Sequence, residues 1–348
     1  MEKIGHKETR WLLFCIMFSN LCLEGLSFVL KAFGTLSPLY IGIVGVAAAV
    51  IVFLTFHFIK GCNFETVFSV VWGRAGLKIF LIIMFAISLV SCMYRMRAFS
   101  IAIGDKMLLN TPYTFILLVM GLAVFTVALL KYEAISRYSV AAVIIFFLLM
   151  CFVVASALAK GNVHNLITKP GSAHAFKGYK LIYMYSDIVY LIILSCFVSS
   201  PGKVKAIAVK SLVTFTVVNV LMCLLYMYVV PYPASIEYSY PLHRLSLVAN
   251  SSALFQRLDV LIYVIWIFEG FISSGAIALF AVSFFKRTFS LKSHNALCFS
   301  ITLICFLGAL LFGDILEYAY AFQSIYAFVL MPVTAVLYKW RVKKCTEK

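Results

Sequence analysis

The chain has 348 residues, of which 64% are hydrophobic and 12% charged, and its mean hydropathy is +1.04. A soluble domain of this length has too little interior to hide so much apolar surface, which excludes soluble enzymes and binding modules and leaves an integral membrane protein. The formal net charge of +16 points towards nucleic acid only until the basic residues are placed along the chain.

A helix crosses a hydrocarbon core of about 30 Å with roughly 20 apolar residues. Ten such windows recur, at about 11–30, 36–59, 77–101, 113–130, 136–158, 180–199, 207–230, 259–285, 295–312 and 317–338. Continuous apolar runs exclude a transmembrane barrel, whose strands would alternate. The loops are too short to be domains, so residues 1–348 are expected to form a single all-α transmembrane domain with a tail at 339–348. Lys3 and Lys7 precede the first window as they would in a signal peptide. No small-residue cleavage site follows, and the window is of spanning length, so it reads as a retained first helix.

Assigning the loops alternately to two sides sorts the 29 Lys and Arg residues. The side of the N-terminus collects Lys3, Lys7, Arg10, Lys60, Arg74, Lys78, Lys131, Arg137, Lys203, Lys205, Lys210, Lys286, Arg287, Lys292 and the tail from Lys339; the other side keeps the remaining minority. The positive-inside rule then puts both termini in the cytoplasm, N-in and C-in. The basic excess reports orientation and contact with anionic membrane lipid, with no nucleic acid partner expected.

The connection 159–179, "AKGNVHNLITKPGSAHAFKGY", divides the windows five and five. Because five is odd, the second half begins from the opposite side, so repeat one (about 11–158) and repeat two (about 180–338) would be inverted, as in transporters. A further outer connection, 231–258, carries Leu242, Leu245 and Val248 at helical spacing. It predicts a short amphipathic helix, either an ordinary loop helix or a lid over a cavity.

Phosphate-cradling and dinucleotide glycine motifs are absent, and no His/Cys cluster has metal spacing. The cysteines, Cys15, Cys92, Cys151 and Cys223 among them, mostly lie inside windows without a C-x-x-C pair and read as small buried apolar residues. No enzyme activity, cofactor or metal is therefore expected.

Ionisable residues inside the windows are the site candidates, because such groups normally face a bundle interior or a wet cavity. Glu24 sits beside Gly25 in "NLCLEGLSF", where a helix can unwind and present backbone groups to a ligand; a structural ion pair is the alternative. Arg95 and Arg97 are about 200° apart around a helix, so both cannot face one cavity. Ser88 and Ser91 share the face of Arg95, while snorkelling to the interface is the bland alternative for either arginine. Asp187 lies in the sixth window, the counterpart of the first, with no Gly or Pro beside it to signal a break. Glu269 forms a polar and small-residue stripe with Trp266, Gly270 and Ser273, fit for a cavity wall or a packed interface, and burial there implies either a neutral carboxyl or a pair with a third-helix arginine. Asp259 opens the eighth window, where a carboxylate suits free N–H groups and the helix dipole; it and Arg95 are candidates for ion pairing or gating.

Around "YPLHRLSLVANSSALFQRLDVLIYVIWIFEGFISSGAIALFAVSFFKRTF" the chain resembles the spore germination permease family, the B subunits of endospore nutrient-germinant receptors, within the amino acid/polyamine/organocation transporter superfamily. The shared features are Tyr240-Pro241, Arg257-Leu258-Asp259 leading to Trp266, and Lys286-Arg287, with Arg97-Ala98, Thr111-Pro112 and Ser136-Arg137 in the same order upstream. The resemblance implies a LeuT-like five-plus-five inverted repeat, with a pocket where helices one and six are interrupted and helices three and eight pass alongside. It also implies germinant-receptor A and C subunits as partners, a small nutrient ligand, often an amino acid, and residence in the spore inner membrane. By position, Gly25 matches a glycine of the broken first helix, Arg97 the third-helix arginine and Asp187 the sixth-helix acid. The first helix departs from the family in lacking its second glycine and terminal proline, and Arg95 stands where many members carry an acid. The expected ligand residues are thus Glu24, Gly25, Arg97, Asp187, Trp266, Glu269 and Ser273, in a nutrient sensor that signals germination. The rival functions are an ion-coupled amino-acid transporter and a scaffold needed only for receptor assembly.

Overall fold

The structure is a computed structural model that describes residues 4–23, 25–59, 62–166, 175–199, 201–232, 234–249, 257–313 and 318–346. Within these the chain is helical almost throughout: α1 His6–Cys22, α2 Gly25–Phe33, α3 Ser37–Ile59, α4 Phe64–Lys106, α5 Tyr113–Leu129, α6 Tyr132–Leu158, a 3-10 helix Ala175–Tyr190 running into α7 Leu191–Leu194, α8 Val204–Val229, α9 Pro241–Ala249, α10 Asp259–Phe289, α11 Asn295–Leu311, α12 Tyr318–Ile325, a π-helical turn Tyr326–Leu330, and α13 Met331–Thr346. Each of the ten apolar windows falls on such an element. Six segments are individually long and apolar enough to cross a bilayer: Gly25–Ile59, Phe64–Lys106, Tyr132–Leu158, Val204–Val229, Asp259–Phe289 and Tyr320–Val342. The protein is a multi-pass membrane protein.

The outer surface is what a bilayer requires. Along α3, Leu39, Ile43, Val46, Val50 and Phe53 recur at helical spacing and are all exposed, an apolar stripe that in water would need a partner and in lipid is already solvated. The opposite face of α3 packs on α8 through small residues. Gly45 is the tightest point, since a Cβ there would overlap the Thr216 side chain and lie 2.8 Å from the Tyr185 hydroxyl.

Regular helix is interrupted where the sequence is most polar or least able to hold it. The α1/α2 boundary follows Leu23, which has ψ −135. The elbow in α4 is Gly73, whose φ of 75 is open to glycine at little steric cost. It folds the first leg back so that the Phe68 and Phe80 rings stack, 4.3 Å between centroids. That leg is tied by an ion pair between Glu65 and Arg287 of α10 and by Arg341 of α13 donating to the Val70 carbonyl at 2.7 Å. At the same end, Ile4 N–H donates to Phe197 O and Ser199 N–H to Ile4 O, fastening the start of the chain to the segment after α7.

Replacing Gly45 with Ala should cost about 1–3 kcal/mol by forcing α3 away from α8. The measurement is a thermal melt of purified protein in detergent, with Gly202→Ala, where a Cβ meets nothing within 4 Å, as the control.

Candidate functional site

The 3-10 helix sets up the centre of the bundle. With three residues per turn its side chains at i and i+3 eclipse, so Leu181, Met184, Asp187 and Tyr190 form one stripe, and all four are buried. The acid in that stripe faces α1, α4 and α12.

Asp187 and Arg95 form an ion pair at 2.6 Å, and both side chains are 0% exposed. Further hydrogen bonds occupy both Asp187 oxygens and both terminal nitrogens of Arg95, while the Arg95 Nε–H has no partner among the described residues. Asn20 Nδ2 donates to Asp187 Oδ2 at 2.9 Å and Gln323 Nε2 to Oδ1 at 2.8 Å. Arg95 Nη1 donates to the Ile16 carbonyl at 2.8 Å, and its Nη2 also reaches Asn20 Oδ1 at 3.3 Å. Ser91 donates to Gln323 Oε1 and the Tyr320 hydroxyl to Asn20 Oδ1, at 3.0 and 3.2 Å. One cluster therefore joins α1, α4, the 3-10 helix and α12. In a medium that cannot solvate charge, each group is held in place by the others.

The helix interruption lies against this cluster. Asn20 Nδ2 also donates to the Met184 carbonyl at 3.2 Å, so the end of α1 is bonded to the 3-10 helix through its backbone as well as through Asp187. Gly25 opens α2 directly over Asn20. A Cβ on Gly25 would run into the Asn20 backbone oxygen and lie 3.0 Å from Met184 Cε. Glu24 lies outside the described residues.

Arg97 goes elsewhere. It is half-buried, donates to the Ala309 carbonyl of α11 at 3.2 Å and lies over the Tyr113 ring at 5.8 Å. Of the two arginines on α4, Arg95 is the one that meets Asp187.

On α10, Glu269, Trp266 and Ser273 are all buried. Ser273 donates back to the Glu269 backbone carbonyl at 2.7 Å, so its hydroxyl is occupied by its own helix. Among the described residues, neither oxygen of the Glu269 carboxyl has a hydrogen-bond partner, and the Trp266 Nε1–H has none either. The electrostatic neighbours of Glu269 include Arg95, Asp187 and the thiols Cys15 and Cys22 of α1, so it belongs to the same interior region as the ion pair. Asp259, the first residue of α10, pairs with Arg257 at 3.4 Å at the helix end, away from that interior.

Over the Asp259 end of α10 lies α9. Its Leu242 and Leu245 are buried. Tyr263 donates its hydroxyl proton to the Lys106 carbonyl at 2.7 Å, so the contact of 2.9 Å between His243 Nε2 and Tyr263 Oη has the imidazole N–H as donor. An apolar groove of about 560 Å³ opens separately between α1, α6 and α8, walled by Phe14, Phe18, Phe146, Met150 and Met222 among others; neither Asp187 nor Glu269 lines it. Among the described residues no group of three or more His, Cys, Asp and Glu side chains is placed to hold a metal ion.

Asn20, Gln323 and Tyr320 are functional candidates that a search for ionisable residues passes over. Asn20 and Gln323 were visible as amides inside otherwise apolar windows, and a search for any buried group with obligatory hydrogen bonds would have found them.

Two consequences can be measured. Arg95→Met or Asp187→Leu alone should destabilise the protein by about 3–5 kcal/mol, because each strands the other charge. The double variant should recover much of that loss, giving a non-additive cycle in detergent melts. His243 is the second case. Burial first, and then the nearby Lys106, hold its pKa below the usual histidine value, with Asp259 opposing and Arg244 adding. Because the folded protein favours the neutral ring, this contribution to stability is complete above the ordinary pKa of about 6.5 and fades as pH falls below it. The melting temperature of wild type should therefore drop on acidification through that range by more than that of His243→Gln.

The sequence model of a family described as spore germination protein matches residues 11–315. No curated protein matches the chain.

Proposed function

This chain belongs to the spore germination protein family, and on that premise we propose that it is the transporter-like membrane subunit of a nutrient-germinant receptor. It binds a small nutrient, an amino acid in the first instance, in the middle of the bundle and passes the event to germinant-receptor A and C subunits in the spore inner membrane. The helices form a LeuT-like inverted repeat with both termini in the cytoplasm.

Three features support the architecture. Besides the π-helical turn in the tenth window, irregular elements fall in the first and sixth, the equivalent places of the two halves, and these two touch each other through Asn20 and Met184. The helices of the third and eighth windows, α4 and α10, flank them with Arg95 and Glu269. The Glu65–Arg287 pair, the Arg341–Val70 contact and the Ile4–Val198 bridge gather the basic connections at one end, as N-in topology requires.

The observation that carries the function is the Arg95–Asp187 pair beside the α1/α2 interruption. A zwitterionic ligand entering there meets a fixed cation and a fixed anion, and it can exchange partners with them without leaving a charge unpaired. Such an exchange alters what joins α1, α4, the 3-10 helix and α12. It biases the bundle between two packings to the extent that the ligand binds one better than the other. The subunit is then a sensor and no enzyme.

Spores carrying Asp187→Asn or Gly25→Ala should lose response to nutrient by more than the measured fall in receptor-subunit level accounts for, and keep germination by a nutrient-independent trigger. Intact nutrient response in both would leave the protein as an assembly scaffold. Sustained concentrative uptake of an amino acid by liposomes containing this chain alone would make it an ion-coupled transporter instead.

A further inference from the structure

Resting on the ligand-site reading above, we propose that Glu269 receives the ammonium group of an amine-bearing ligand, and that Trp266 with its aromatic neighbours forms the approach to it from the α9 end.

Asp187 and Glu269 are both fully buried acids, and they are treated very differently. Asp187 has Arg95, Asn20 and Gln323 as donors. Among the described residues, Glu269 has none on either oxygen. A buried carboxyl without a donor is costly unless a proton or a cation meets it, so a protein that keeps one at its centre has left a place for such a partner. Among the described residues the cation that acts on Glu269 is Arg95, and it is already shared among Asp187, Ile16 O and Asn20. Arg95 and Asp187 together are neutral, which leaves Glu269, among the described residues of this interior, as the acid open to a positively charged partner. A ligand offering only a carboxylate would add a like charge beside it.

Packing does not explain the carboxyl. The stretch of α10 around Glu269 is fixed by other means: Ser273 bonds to the Glu269 backbone carbonyl, and Gly270 lies against Phe99 and Met120. Methionine would fill a similar space without the cost of burying a polar group.

The way in is aromatic. Trp266 lies one turn nearer the α9 end, with Tyr240, His243 and Tyr263 around it at centroid distances of 5.3, 5.7 and 6.1 Å. Ring faces attract ammonium groups, and aromatic side chains arranged around a carboxylate are a recurring receptor for amines. At its outer edge this cluster already holds one ammonium, Lys106 Nζ, 5.9 Å from the Tyr240 ring. The indole Nε1–H of Trp266, also unpartnered, offers a donor to the carboxylate oxygen of the same ligand. At this end α9 lies against α10, tied to it by the His243–Tyr263 bond.

The test uses the full chain purified in nanodiscs, titrated by calorimetry with the common amino acids, with their N-acetyl derivatives, and with sodium and potassium chloride. In wild type, an amino acid that binds should lose about tenfold or more in affinity on N-acetylation, the scale of one hydrogen bond to a charged group. Glu269→Gln should weaken the free amino acid by a similar factor and leave the N-acetyl derivative unchanged. Equal binding of the free and acetylated forms by wild type overturns the proposal, as does equal amino-acid affinity in wild type and Glu269→Gln. If sodium or potassium binding disappears in Glu269→Gln while amino-acid binding persists, the carboxyl serves an inorganic cation and the proposal falls, with the nutrient site left standing. If wild type binds no amino acid, the nutrient site falls as well. Should Glu269→Gln fail to fold, the acetylation comparison in wild type and in Trp266→Leu decides, with Trp266→Leu expected to narrow the preference for the free amine.

Discussion

The pairing of Arg95 with Asp187 is the contact around which the interior is arranged. Two opposite charges with no exposure to solvent cannot be separated without leaving at least one of them unsolvated in a medium of low polarity. The two therefore fix the distance between α4 and the 3-10 helix. The hydrogen bonds that complete them, from Asn20 and Gln323 and to the Ile16 carbonyl, extend the constraint to α1 and α12. Hydrophobic packing alone would leave these helices free to slide in a bilayer, because lipid is as apolar as their side chains. The charge cluster sets their register.

Its position gives that constraint a functional sense. It abuts the place where α1 gives way to α2, and Gly25 is required there because Asn20 presents its backbone oxygen at the point a side chain would need. On the far side, α10 contributes an acid that the cluster does not satisfy. Fully paired and wholly unpaired carboxyls within one interior make a site with a definite polarity, and the large apolar groove on the other face of α1 contributes nothing to it. The groove is a feature of the lipid-facing surface.

Much of the architecture was legible in the sequence because membrane insertion leaves few options. Apolar windows of spanning length must be helical when no water is present to satisfy their backbone, and those at 36–59, 113–130 and 295–312 correspond to α3, α5 and α11 within a residue or so. Leu242 and Leu245 foretold α9 by the same periodicity. What was not legible depends on depth and direction. The spacing of Arg95 and Arg97 shows that they face apart, but which one faces inward is decided by where α11 and the 3-10 helix stand. The break at the sixth window lacked its usual Gly or Pro signal, since a 3-10 helix needs neither. Asn20 and Gln323 carry no charge and so do not stand out as ionisable groups, although each donates a hydrogen bond to Asp187.

The winding of the Asp187 segment has a mechanical side. Sixteen residues, Ala175–Tyr190, wound as a 3-10 helix at about 2.0 Å per residue are about 8 Å longer than the same residues wound as an α-helix at about 1.5 Å. Tightening to three residues per turn stretches the segment, and relaxing to 3.6 shortens it while turning Asp187 off its stripe. The far end of this spring is hooked to the beginning of the chain by the bridge between Ile4 and Val198. Were that winding to change, α7 and the turn after it would pass the displacement to Val198, and the bridge would carry it on to Ile4.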